Sequence, residues 1–195
     1  MAGMRDKSSH VRAASAATAG VIARDTSHPA VLGTLIELFE DSDWTVRSSA
    51  LAALSSVASQ GLDDECIEKL LCCLESPMWS ARVLAAQALG ANSPYGNATV
   101  ARGLAAALLD DDWAVKKAAA TSLGIVARIG DDEAVDALMP LLEAADWRVR
   151  KTALKAMGNV AEQGCHRAIR AILLRLEDTC VAAPKRLDQV LHPGS

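Results

Sequence analysis

The sequence predicts an all-α protein, a right-handed solenoid of about five stacked helix pairs, and three observations support this fold class. First, a short phrase, clearest as Asp-Trp-x-Val-Arg, occurs four times at intervals of 35, 34 and 34 residues. It contains all the tryptophans, which are Trp44, Trp79, Trp113 and Trp147. A period in this range is typical of stacked repeats and not of a single globular core. Second, Ala and Leu dominate the 195 residues, which favours helices. Third, a glycine follows each Trp by seventeen residues, at the kind of position where glycine ends helices: Gly61, Gly96, Gly130 and Gly164.

One unit, from Asp131 to Gly164, shows how the pattern becomes a helix pair. Three acidic residues at 131–133 lie where the dipole of a first helix favours negative charge. Apolar residues then recur at helical spacing, and Asp146 is suited to cap a second helix. A single helix pair cannot bury its apolar stripes alone, so the units must stack on one another.

The same pattern sets the predicted boundaries. First helices are expected at 28–40, 63–75, 97–109, 131–143 and 165–177. Second helices are expected at 8–24, 44–59, 78–91, 112–128 and 146–162, with a last helix at 182–192. The chain is therefore predicted as one domain, 1–195, with a half-repeat at 8–24, repeats at 28–61, 63–96, 97–130 and 131–164, and a degenerate repeat at 165–192. Because the pattern begins with a half-repeat and fades in a degenerate one, the chain is expected to be a piece of a longer array, or a small subunit whose ends are covered by a partner.

Prolines and glycines inside the helices predict local features. Pro140 should kink a first helix, and Pro94 should shorten the helix at 78–91 by about one turn, leaving a loop with Tyr95. That loop is interpreted as drift in a connector, with a notch for a partner as the alternative. Small residues also recur eleven positions after each Trp, at Ser55, Gly90, Gly124 and Gly158, with Gly20 in the half-repeat. Glycine inside a helix costs about 1 kcal/mol relative to alanine, so its recurrence predicts close approach of a neighbouring helix.

Composition excludes several classes of function. The net charge of −4 argues against nucleic acid as a partner. No apolar run is long enough to span a membrane, and the first twelve residues lack the apolar core of a signal peptide. The five cysteines form no Cys-x-x-Cys pair, and Cys66 and Cys73 fall on apolar positions, which favours a reducing compartment, most simply the cytosol.

The repeats resemble the HEAT-repeat family, and more closely its short HEAT-like branch named after phycobilisome lyase subunits. The resemblance rests on an Asp-containing turn, a Val-Arg or Val-Lys step and an Ala-rich helix with Leu-Gly or Met-Gly, as in residues 115–124 and 149–158, and covers about 8–178. It implies an α-solenoid that acts as a scaffold, adaptor or regulator. The iron-holding His-Glu pairs of the deoxyhypusine hydroxylase branch have no counterpart, because no His precedes Glu here.

The tryptophan row has two interpretations. Each ring either covers its own turn and the adjoining repeat as a structural staple, which we favour, or stands partly exposed in a stripe that binds a partner. The basic and acidic residues around it, taken with the resemblance, predict a structural ladder between repeats. Its members are Asp43, Arg47, Arg82, Asp112, Lys116, Asp146 and Arg150, although Lys116 lacks the planar fork of arginine.

The concave face should be lined by the second helices. It becomes basic toward the C-terminus, with Lys117, Arg148, Lys151 and Lys155, which favours an acidic partner segment there. A merely solvated face accounts for the same residues. No phosphate loop, nucleophile elbow or metal-ligand spacing is present, so no catalytic, cofactor-binding or metal-binding residue is predicted and the protein is not expected to be an enzyme.

We therefore predict a non-catalytic scaffold or adaptor that binds a protein partner through its concave face and its Trp-marked edge. The candidate partner-binding residues are Trp44, Trp79, Trp113, Trp147, Lys117, Arg148, Lys151, Lys155 and Tyr95. The alternative is a bilin-lyase-type subunit or chaperone that assists chromophore attachment.

Overall fold

A computed structural model describes residues 2–24, 28–58 and 61–181, and every regular element in these ranges is helical. The α-helices are α1 (Ser9–Ile22), α2 (Pro29–Glu37), α3 (Trp44–Val57), α4 (Asp64–Cys73), α5 (Trp79–Asn92), α6 (Ala98–Ala107), α7 (Trp113–Val126), α8 (Asp132–Leu138), α9 (Trp147–Val160) and α10 (His166–Val181). Short 3₁₀ helices cover Ala2–Arg5, Leu38–Glu40 and Met139–Glu143. The predicted all-α class is confirmed. The predicted helix at 182–192 lies outside the described residues.

The helices form two layers. The odd-numbered helices α1 to α9 make an inner layer, and the even-numbered helices pack on the outside of it. Consecutive inner helices contact one another far more extensively than consecutive outer helices do, except between α3 and α5. Because the inner layer is the more tightly packed, the array curves toward it. We call the surface formed by the solvent-facing sides of the inner helices the concave face.

Aspartate caps fix where three inner helices begin. The side chains of Asp43, Asp112 and Asp146 accept hydrogen bonds from backbone N–H groups two residues ahead, at 2.7–2.8 Å. Such a cap satisfies a donor that the first turn leaves unpaired and stabilises the helix by about 1 kcal/mol. The caps make Trp44, Trp113 and Trp147 the first residues of their helices, and Trp79 begins α5 in the same register without a side-chain cap.

The core is a continuous layer of small aliphatic side chains between the helices, with Phe39 as its one aromatic member among the described residues. Glycines let the inner helices approach closely, as predicted. A Cβ atom built on Gly20 would lie 2.7 Å from Cα of Ala53, and one built on Gly124 would lie 2.9 Å from Cα of Ala156. Both distances are shorter than real Cβ contacts, so only glycine fits these crossings.

Two local predictions meet different outcomes. In the repeat that contains Pro140, the outer helix α8 ends at Leu138 and the chain continues as a 3₁₀ helix. The change occurs because proline cannot donate the next i→i−4 hydrogen bond. The predicted shortening by Pro94 is wrong. Helix α5 has 14 residues, as α7 has, because both end four residues before the glycine of the following turn. Pro94 therefore lies in a connector that is present in both repeats.

Candidate functional site: the concave face and its tryptophan edge

The four tryptophan rings are half exposed and do not act as buried staples. The exposed fractions are 55% for Trp44, 50% for Trp79, 44% for Trp113 and 58% for Trp147. Each ring stands at the first position of an inner helix. The staple interpretation is thereby corrected in favour of partly exposed rings along one edge of the concave face.

Basic side chains lie over three of these rings. The guanidinium carbon of Arg148 is 5.2 Å from the ring centre of Trp113 and 5.6 Å from that of Trp147, so one arginine joins the tryptophans of two successive repeats. Lys117 adds a second cation 6.0 Å from the Trp113 ring. Cations over indole faces at these distances are attracted by the ring quadrupole. Arginine and tryptophan are also the residues most enriched where interfaces concentrate their binding energy.

A groove of about 330 Å³ runs from Trp113 along the concave face between α5 and α7. Its walls combine aliphatic and polar side chains, among them Val83 and Gln87 from α5 and Lys117 and Ile125 from α7. The exposed Ile125 provides an apolar contact far from the tryptophan end. The groove is open and shallow, a shape suited to an extended chain.

The charges of the two layers are segregated. Every charged residue in the five inner helices is Arg or Lys, and every Asp or Glu in a described helix belongs to the outer layer. The excess of positive charge is greatest on α9, where Arg148, Lys151 and Lys155 are all exposed. Acidic caps such as Asp146 lie at the tryptophan edge, and its carboxylate is 3.9 Å from Arg148. The concave face is nevertheless basic from α7 to α9.

Arginine forks join neighbouring repeats, but their carboxylate partners differ from the predicted ones. Arg12 donates to Asp41 from Nε and Nη2, at 2.6 and 2.8 Å, and Arg82 donates to Asp110 in the same way, at 2.6 and 2.9 Å. Asp41 and Asp110 lie three residues before a Trp, whereas the ladder was predicted one residue before it. The signal that identifies them is their shared register.

The electrostatics of these pairs follow from the forks. The hydrogen bond from Arg12 lowers the pKa of Asp41, against the opposing effect of burial. Burial acts to raise the pKa of Asp110, but hydrogen bonds from Arg82 and from the backbone of Asp112 outweigh it, and the pKa of Asp110 is lowered. Both carboxylates therefore stay ionised at neutral pH and hold consecutive repeats together.

The other predicted ladder residues have local roles. Asp43 caps α3. A hydrogen bond from the Ser9 side chain, in the preceding repeat, is the main cause of the lowered pKa of Asp43. Arg47 and Arg150 each donate through Nη1 to two carbonyl oxygens of the turn before their own helix. Asp112 and Asp146 act as caps, and Lys116 makes none of the fork contacts seen at Arg12 and Arg82.

Tyr95 joins two connectors. Its hydroxyl oxygen accepts a hydrogen bond of 2.9 Å from the backbone N–H of Ile129, the residue at the same register one repeat later. The tyrosine is 63% exposed, so its ring stays accessible although its hydroxyl is held. Because Tyr95 follows the C-terminus of α5, it lies at the opposite end of the inner helices from the tryptophans, which are at the N-termini.

The described residues offer little for chemistry. No group of His, Cys, Asp and Glu within 2–24, 28–58 and 61–174 is arranged to hold a metal ion. Burial raises the pKa of the Cys66 thiol to about 12 and that of Cys73 to about 11, which keeps both from forming the reactive thiolate. No helix in the described part of the chain is long and apolar enough to cross a bilayer.

A stack of antiparallel helix pairs with close inner crossings and a curved inner face defines an α-solenoid of the HEAT and armadillo class. The chain belongs to the HEAT-repeat family: the model for HEAT repeats matches residues 1–90 and 101–183. The ten residues between the two matches contain the Pro94–Tyr95 connector. No curated protein matches the chain.

Solved structures show the same architecture. The chain is 25% identical to an engineered protein solved by the Northeast Structural Genomics Consortium, covering 90% of this chain and 83% of that one with a TM-score of 0.55. It is 22% identical to a chain in the complex of CpcE and CpcF of phycocyanin lyase from Nostoc sp. PCC7120, covering 82% and 62% with a TM-score of 0.60. It is 18% identical to a designed armadillo repeat protein in complex with the peptide (KR)4, covering 96% and 93% with a TM-score of 0.60. The likeness to the last two is one of fold.

Proposed function

We propose that the protein is a non-catalytic scaffold or adaptor that binds an extended, acidic segment of a partner protein along its concave face. The observation that carries this proposal is the segregation of charge, because the inner helices present only basic charged residues to the groove. Opposite charges across an interface speed encounter and fix register. The acidic residues of α2, α4 and α8 disfavour the same partner on those parts of the convex side.

The strongest contacts are expected between α7 and α9. Arg148 is already positioned against Trp113 and Trp147, so little side-chain freedom is lost when a carboxylate binds there. Lys151 and Lys155 continue the basic surface along α9, one helical turn apart. Apolar side chains of the partner would contact the half-exposed rings and the groove beside Val83.

A peptide-binding experiment tests this proposal. A labelled peptide of alternating Glu and Leu is titrated with the protein, and binding is followed by fluorescence anisotropy beside a Lys–Leu peptide of the same length. We expect the acidic peptide to bind at low salt and to weaken as salt increases. Equal binding of both peptides, or of neither, would contradict the proposal.

Matched charge reversals localise the surface. The pair Lys151→Glu and Lys155→Glu changes the concave face, and the pair Arg102→Glu and Arg170→Glu makes the same change of net charge on exposed outer helices. We expect the first pair to weaken binding about tenfold or more and the second to leave it nearly unchanged. Equal loss from both pairs would show that only net charge matters.

The alternative, a lyase-type subunit or chaperone for chromophore attachment, stays a prediction. The likeness to the CpcE–CpcF complex supports the fold and not the activity, since the identity is 22%.

A further inference from the structure

One junction in the inner layer differs from the others. Helices α1 and α3, α5 and α7, and α7 and α9 contact one another extensively, whereas α3 and α5 contact one another at few points. All these helices have 14 residues and follow the same repeat pattern, so their length does not explain the difference. The cause must lie in the residues at the junction.

The glycine that permits a close crossing is missing at this junction. Gly20, Gly90 and Gly124 are buried under the next inner helix, and a Cβ atom built on any of them would lie 2.7–2.9 Å from a Cα atom of that helix. Ser55 holds the same register in α3 and is exposed. At the spacing seen elsewhere its side chain would collide with the backbone of α5, so the two helices stand apart.

The carboxylate of the arginine fork is missing there as well. Ser76 occupies the position that Asp41 and Asp110 hold in the other repeats. Its Oγ atom still accepts the turn hydrogen bond from Met78, at 3.3 Å, but it offers no charge to Arg47. As a result Nε of Arg47 is buried without a hydrogen-bond partner among the described residues, and the guanidinium carbon lies 5.4 Å from the ring centre of Trp44.

A second junction shows which loss matters more. Between α7 and α9 the arginine is replaced by Lys116 and the carboxylate position is Ala144, so that junction has no fork either. The helices nevertheless cross closely at Gly124, and the N–H of Gly130 donates to the carbonyl of Val160 at 2.8 Å. Absence of the ion pair alone therefore leaves a junction closed, and the serine at position 55 decides the separation.

The far end of the loose junction keeps one connection in a shifted register. The N–H of Leu62 donates to the carbonyl of Asn92 at 3.2 Å. In the next repeat the donor is the turn glycine itself, Gly96, at 2.7 Å from the carbonyl of Val126. The hydrogen bond across α3 and α5 has thus moved by one residue and lengthened.

We infer that the α3–α5 junction is a flexible joint that divides the array into two blocks, one built on α1 and α3 and the other on α5, α7 and α9. The blocks pivot about the contacts that remain, which are those between α2 and α4 and the Leu62–Asn92 hydrogen bond, and the angle between the blocks changes the curvature of the concave face. Packed interfaces resist continuous deformation, so motion concentrates where packing is poorest. The inference is independent of the proposed binding function, since it concerns the array itself.

Distance measurements across two matched spans test the joint. Spin labels are introduced through unnatural amino acids, which leaves the cysteines in place, at exposed positions of one register. The pair Ala17 and Gln87 spans α1 to α5 across the joint, and the pair Gln87 and Lys155 spans α5 to α9 without crossing it. We expect the distance distribution of the first pair to be roughly twice as broad as that of the second.

Two substitutions restore what the junction lacks. Ser55→Gly supplies the glycine, and Ser76→Asp supplies the carboxylate opposite Arg47; each is tested alone and together, with folding checked by circular dichroism. We expect the combined variant to narrow the Ala17–Gln87 distribution to the width of the control pair, Ser55→Gly alone to produce most of that narrowing, and Ser76→Asp alone to have the smaller effect. Equal widths in the wild-type protein would overturn the inference, and so would a broad distribution that neither substitution narrows.

Discussion

Gly124 lies directly under Ala156, with 2.9 Å between the Cα atom of Ala156 and the place where a Cβ of residue 124 would stand. Gly158 has the same register one repeat later, and a Cβ there would meet nothing within 4 Å among the described residues. The two glycines are equivalent in sequence and opposite in environment. They therefore separate the effect of packing from the effect of helix propensity.

We expect Gly124→Ala to lower the free energy of unfolding by about 1–3 kcal/mol, because the added methyl group must push α9 away from α7. Gly158→Ala should raise it, by up to about 1 kcal/mol, because alanine is the better helix former and no described residue lies within 4 Å of the added methyl group. Urea denaturation followed by circular dichroism measures both. Similar effects of the two substitutions would mean that the close crossing is not maintained in solution.

The Arg82–Asp110 fork supports a second prediction. Asp110→Asn keeps an oxygen for the N–H of Asp112 but removes the charge that Arg82 pairs with, and we expect it to destabilise the protein by about 1–2 kcal/mol. Asp111→Asn is the matched control, since Asp111 is exposed and adjacent. Thermal unfolding of the two variants compares them directly, and equal stability would show that the fork contributes nothing measurable.

The same pairs predict how stability responds to acid. The pKa values of Asp41 and Asp110 are lowered in the folded protein, so their contribution is complete above the pKa of an unfolded aspartate, about 3.9. It is lost as pH falls through the lower folded values. We expect the free energy of unfolding to decrease below about pH 4, and to decrease less steeply in Asp110→Asn than in the wild-type protein.

The half-exposed tryptophans predict red-shifted fluorescence that acrylamide quenches readily. Trp113 is the least exposed of the four, and two cations lie over its ring. We therefore expect Trp113→Phe to remove the component that quenches most slowly, and Trp147→Phe to remove one that quenches fast. Blue-shifted emission that resists quenching in the wild-type protein would restore the staple interpretation.

Absorbance separates the two function classes. A scaffold needs no chromophore. We therefore expect the protein isolated from its own source to show no absorbance at wavelengths longer than those absorbed by its aromatic residues. A visible band that travels with the protein through purification would favour the lyase or chaperone alternative. If the protein is mixed with a bilin-bearing partner and no chromophore is transferred, the result agrees with the scaffold function.

Much of the fold could be predicted because the repeat period determines it. The first residue of α3, α5, α7 and α9 is the Trp of each phrase, and the predicted starts lay within one residue of these. The recurring glycines predicted close crossings, and this holds at Gly20, Gly90 and Gly124, whereas Gly158 meets no described residue within 4 Å. The ends of α1, α3, α7 and α9 were predicted two residues too long, because the connector before the turn glycine is also rich in helix formers, and the end of α5 was predicted one residue too short.

The site was harder to predict, for physical reasons. Two aspartates precede Trp44 at different distances, Asp41 and Asp43, and helix periodicity does not extend into the turn that contains them. Only the crossing of the neighbouring repeat decides that Asp41 meets Arg12 while Asp43 caps α3. The exposure of Trp44 was uncertain for the same reason, because the first residue of a helix is covered or left open by the chain around it and not by its own helix.

The separation of charge between the layers has a consequence that net charge conceals. The formal charge of −4 describes neither layer, because the inner helices carry only basic charged residues and the acidic residues lie in the outer helices and the turns. We therefore expect the basic side chains of α7 and α9 to attract an anionic partner although the net charge of the chain is negative. An anionic partner would turn the molecule in solution before any contact forms, so that the groove faces the incoming segment. A basic partner, chosen because the net charge of the protein is negative, would be repelled by the concave face between α7 and α9.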